Sequence, residues 1–151
     1  MKMVTVEKNI VKFTAGEDLA EQEIVKLNAD GEAVKVDSTE ETKAVGIVYA
    51  EASKGDVVSV ITAGLLDNVR VLVEDTSSES GYDASITPGD RLLISGKSDG
   101  TYDVGQALSS DQGDGATGGD GTVVAKAFEA VEGSESEDTY TTIKAYVNFI
   151  N

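Results

Sequence analysis

The chain has 151 residues, enough for one domain with a real core or for two very small ones. It contains no Cys and no His, which removes disulfides, zinc and iron–sulfur sites, thiol nucleophiles and the commonest general base. Twelve Lys and Arg against 28 Asp and Glu give a net charge of −16, a field that repels nucleic-acid phosphates and anionic membrane surfaces, so neither is expected as a partner.

The apolar spacing is that of strands. Val4 and Val6, then Ile10, Val11 and Phe13, form short runs with Lys and Glu between them. Thr14–Ala15–Gly16–Glu17 has the spacing of a helix capping box, and the segment to Glu23 reads either as one or two helical turns or as a polar turn between strands. Ile24–Leu27 and Ala33–Val36 flank Asp30–Gly31, a hairpin signal because both turn residues tolerate positive φ. Ala44–Tyr49, Val57–Ile61, Val69–Val73, Arg91–Ile94, Thr122–Phe128 and Tyr140–Val147 follow, dominated by Val, Ile and Thr as half-buried pleated surfaces prefer.

The two halves echo each other. A hairpin with an Asp-Gly turn, a strand, an acidic loop and a final strand occur first over 23–61 and again over 90–147, with Asp99–Gly100 as the second turn and Thr101–Val104 as the strand after it. The expected fold is mostly β: a small barrel or sandwich of two echoing halves, with an extended N-terminal arm over 1–12 and the barrel over 13–151. Three polar stretches, 75–85, 109–121 and 133–138, read as exposed loops outside the core.

Chemistry is hard to find. Asp111, Asp114 and Asp120 share a Gly-rich segment, but the EF-hand order fails and no Glu stands at its twelfth position, so a flexible acidic loop is expected rather than a metal site. Carboxylate pairs such as Glu40–Glu41 and Glu74–Asp75 read as solvated charge. No Gly-x-Ser-x-Gly elbow, Ser-x-x-Lys pair or phosphate loop occurs, so neither enzymatic activity nor a cofactor is expected. No apolar run approaches the roughly 18 residues of a membrane span, and no secretion signal is evident.

The first residues differ from the rest. Met1 to Phe13 carries Lys2, Lys8 and Lys12 against Glu7 alone, alternating with Met3, Val4, Val6, Ile10 and Val11, in a protein that is otherwise strongly acidic. One reading is an ordinary first strand. The other is an arm, formed by Met1, Lys2, Met3, Val4, Thr5, Val6, Lys8 and Lys12, that adds to another protein's sheet edge. Both hold if the arm runs on into the barrel.

Gly16–Glu17–Asp18–Leu19, Glu23–Leu27, Asp30–Val34, Ala44–Val48 and Lys54–Val60 together resemble the small capsid decoration (head cement) proteins of tailed viruses. The resemblance spans about residues 13–64 and returns in Thr87–Leu92 and the last two strands. It implies a small β-barrel, made in the host cytoplasm, that assembles as a homotrimer on the outer surface of an icosahedral shell and contacts the major capsid protein. It also implies an N-terminal arm reaching the capsid, here around Met1 to Lys12. The rival expectation is a β-sandwich binding carbohydrate or a cell surface, cation-assisted through the Asp-Gly loop. It is weakened because sugar faces favour stacked aromatics, whereas Trp is absent and Tyr82 and Tyr102 are scattered.

Overall fold

The computed structural model describes residues 8–37, 43–73, 85–95, 103, 105–110, 123–134, 137 and 139–150. Its strands are β1 (Asn9–Thr14), β2 (Ile24–Leu27), β3 (Ala33–Lys35), β4 (Ala44–Val48), β5 (Val57–Val73), β6 (Arg91–Ile94), β7 (Leu108–Ser110), β8 (Val123–Ala127) and β9 (Thr139–Asn148), with no α-helix among the described residues. The stretch from Gly16 to Glu23 is the polar turn, pinned by mutual backbone hydrogen bonds between Leu19 and Ala52.

Strands β5, β7, β6, β8 and β9 pair in that order, and β9 returns to β5, so the second half is a closed five-stranded barrel. The first half repeats the plan strand for strand. There β1 and the start of β5 pair antiparallel, β2 lies between β3 and β4, β4 pairs with β5, and a parallel bridge between Ala15 and Ala33 closes the circuit. The matching closure of the second half is the parallel pair Val71 and Leu108.

The correspondence extends to single hydrogen bonds. Before β2, Ala20 N–H donates to Glu23 Oε2 at 3.0 Å and Gln22 N–H to Val48 O at 2.9 Å. Before β6, Thr87 N–H donates to Asp90 Oδ2 at 2.9 Å and Gly89 N–H to Ala127 O at 2.7 Å. Gln22 and Gly89 share a positive φ, 74° and 94°. The bridge of Leu19 to Ala52 has its counterpart in Ile86 and Val131. The echo in the sequence is therefore a structural repeat.

Each half has its own core. Leu19, Val25, Ala33, Val48, Val58 and Val60 fill the first, and a larger cluster containing Val71, Leu92, Ile94, Leu108, Ile143 and Ala145 fills the second. The 17-residue β5 belongs to both. Its sequence reads as two runs, Val57–Ile61 and Val69–Val73, but the residues between them continue the strand, with a register shift against β9 between Leu66 and Val69. On the same edge of β5, Ala63 is the register partner of both Asn148 and Asn9, so the end of β9 runs into the start of β1. A composite β9–β1 strand thus lies antiparallel to β5, and the halves are related by an approximate twofold axis near Ala63.

One expectation needs correction. The strand that pairs with β6 is Leu108–Ser110; Asp99–Gly100 and, apart from Asp103, the expected strand Thr101–Val104 lie outside the described residues. Ser109 and Ser110 do not begin an exposed loop: they are buried in β7, at 3% and 1% exposure. Polar side chains at both positions hide this strand from any reading based on hydrophobic alternation. Residues 111–121, including the three aspartates, lie outside the described residues, as do Glu40, Glu41, Glu74 and Asp75.

Candidate functional site

Of the candidate arm residues, Lys8 and Lys12 are described; Met1, Lys2, Met3, Val4, Thr5 and Val6 lie outside the described residues. Lys12 sits within β1 opposite Ser59. Lys8 immediately precedes the strand and places its Nζ 5.7 Å from the centre of the Tyr49 ring, a cation–π contact at the surface.

β1 is built as an open edge. Among the described residues it pairs along its length with β5 alone, and its other side meets β3 only beyond its end, at the Ala15–Ala33 bridge. Alternate N–H and C=O groups of a strand paired on one side point away from the sheet, where they can template another strand. Asn9 to Lys12 are accordingly exposed, and Phe13 is the first residue to turn into the core.

The side chains around this edge combine apolar surface with positive charge. Ile10 and Val11 are 44% and 42% exposed on opposite faces of β1. Val57, opposite Thr14, is 66% exposed, and Tyr49, whose N–H donates to Ser59 O, is 49% exposed. Ile10, Lys12, Val57 and Tyr49 lie on the outer face of the β1–β5–β4 sheet. Tyr49 and Val57 were not legible as site residues, because each ends or begins an apolar run that reads as core.

The continuation of the β1 edge along β5 is already taken by β9: Val147 and Asn148 pair with Gly64 and Ala63, and Phe149 N–H donates to Thr62 O at 2.9 Å.

An open depression of about 590 Å³ lies elsewhere and is rimmed by Asp18, Glu23, Glu51 and Asp56. Two of these carboxylates hold backbone: Asp18 Oδ1 accepts from Lys54 N–H at 2.9 Å, and Glu23 from Ala20. No cluster of three metal-ligating side chains occurs among the described residues, and no described helix is long and apolar enough to cross a membrane. No family model and no curated protein matches this chain.

Proposed function

We propose that this chain is a structural virion protein rather than an enzyme: a decoration protein of a tailed virus, made in the host cytoplasm, that binds the major capsid protein on the outer face of an icosahedral shell as a homotrimer. The observation that carries the reading is the β1 edge. It offers main-chain hydrogen-bonding groups, apolar side chains and two lysines at one place, at the end of the segment, Met1 to Lys12, that the resemblance implies as a capsid-binding arm. Strand addition draws affinity from the backbone ladder and specificity from alternate side chains, and it needs neither a pocket nor a cofactor. Many such contacts repeated over a shell add up through multivalency, so each one can be weak. The high negative charge elsewhere keeps copies soluble and apart before they dock.

The test is co-sedimentation of the purified chain with particles from its source that have been stripped of it. The wild-type chain is expected to pellet with the particles. A Lys8→Glu/Lys12→Glu variant, which changes only exposed side chains, is expected to bind roughly tenfold more weakly. A wild-type chain that stays in the supernatant overturns the reading.

A further inference from the structure

The outer face of the first half leads from the β1 edge into a cavity. Ile10 in β1, Ile61 in β5 and Ile47 in β4 are register partners in one row, so their side chains share that face. Ile10 is exposed, whereas Ile61 and Ile47 are buried and belong to the core cluster of the second half. Beside this row lies a cavity of about 270 Å³ in which Ile47, Ile61 and Leu66 provide buried apolar lining. Lys8 and Tyr49, joined by their cation–π contact, border both the cavity and the β1 face.

Two irregularities of the backbone converge on this place. Gln22, which lines the cavity, is the one residue other than glycine with a positive φ among the described residues, and its counterpart in the second half is Gly89. A side chain kept where glycine relieves the strain points to a use for that side chain. The register shift of β5 against β9 falls between Leu66 and Val69, so Asp67 and Asn68 leave the ladder where they border the cavity. Such shifts re-aim side chains beside functional sites.

We infer that this cavity takes one large apolar side chain from an acidic segment of the partner protein that adds to β1. The inference rests on the shell-binding reading above and names what that partner presents. Size and lining select the anchor: the volume falls below the roughly 300 Å³ at which small-molecule sites begin, and the buried lining residues offer no charge. Charge selects the segment around it. From Lys8 to Thr14 the chain carries two lysines and no carboxylate, so acidic residues flanking the anchor are matched to Lys8 and Lys12. The added strand supplies backbone bonds, and a pocket for one of its side chains supplies specificity.

Co-sedimentation with stripped particles, read as apparent affinity over a range of salt, tests it. Asn68→Trp sets a large side chain at the exposed rim and is expected to bind roughly tenfold more weakly at every salt concentration, the scale of an anchor that loses its pocket. The deficit of Lys8→Glu/Lys12→Glu is expected instead to shrink as salt rises, because surface charges are screened. Gln22→Gly is expected to bind severalfold more weakly while melting at or above the wild-type temperature, a combination that a purely structural role does not give. Ala29→Trp, exposed in the β2–β3 turn, is expected to bind as wild type. An Asn68→Trp variant with the wild-type circular dichroism spectrum and wild-type binding overturns the inference and leaves shell binding standing. If that variant misfolds, wild-type binding by Gln22→Gly overturns it. A wild-type chain that does not pellet overturns the shell-binding reading, and the inference with it.

Discussion

Gln106 and Ile24, 82 residues apart in sequence, are joined by a two-way amide clasp: Gln106 Oε1 accepts the Ile24 N–H at 2.8 Å while its Nε2 donates to the Ile24 carbonyl at 2.8 Å. The same Nε2 donates to Val36 O at 2.7 Å. A side chain of the second half thus takes the place of a neighbouring strand for the first half, at a site from which water is excluded.

Replacing Gln106 with Leu keeps the volume roughly constant and removes the partner of the Ile24 N–H and of the Val36 carbonyl, while the Ile24 carbonyl keeps the Val36 N–H at 2.9 Å. Each buried unsatisfied group costs about 1–3 kcal/mol, reduced where the site relaxes, so Gln106→Leu is expected to lose about 3 kcal/mol. Urea denaturation followed by circular dichroism reads this. A loss below about 1 kcal/mol would mean that the clasp does not hold the halves together.

The repeat makes a reciprocal prediction at the turn before β2 and β6. Gln22 adopts a φ of 74°, which costs a residue with a Cβ about 1 kcal/mol, while Gly89 adopts 94° at the equivalent position without that penalty. Gly89→Gln is expected to lower stability by about 1 kcal/mol and Gln22→Gly to leave it unchanged or raise it slightly. Thermal melts of both variants decide the point.

Gly46 is required for a different reason. A Cβ there would collide with the Ile61 carbonyl oxygen and press on Val60, because β4 and β5 approach closely at that point. Gly46→Ala is therefore expected to destabilise by roughly 2 kcal/mol or more, within the range of overpacked cores. Its register counterpart, Ala125 in β8, already carries a Cβ, so the close approach belongs to the first half alone.

The collinear β9–β1 strand predicts tolerance of a new chain order. β5 crosses the approximate twofold axis unbroken, whereas its counterpart is interrupted between Asn148 and Asn9. A circular permutant that joins the ends with a flexible linker and opens between Ala63 and Gly64 moves the interruption to the equivalent point. It is expected to fold cooperatively with the native circular dichroism spectrum; an unfolded permutant would contradict the symmetry.

Much of the fold is legible in the residues themselves. The β2–β3 hairpin follows from Asp30–Gly31 between two apolar runs, and the repeat follows from the echo of Glu23–Leu27 in Asp90–Ile94. β7 escapes notice because two of its three buried residues are serines, and Ser109 Oγ has no hydrogen-bond partner among the described residues. The continuity of β5 escapes for another reason: Val57–Ile61 and Val69–Val73 read as separate runs, and only the opposing β9 shows that Asp67 and Asn68 sit in a register shift within one strand. The open edge of β1 and the Gln106 clasp depend on which strands lie beside which, information carried by contacts between residues far apart in the chain.

The most direct measurement of the proposed role is quantitative peptide mass spectrometry on gradient-purified virus particles from the source of this chain. The account predicts a copy number comparable to that of the major shell protein. Absence from the particles, or only a handful of copies in each, would contradict it.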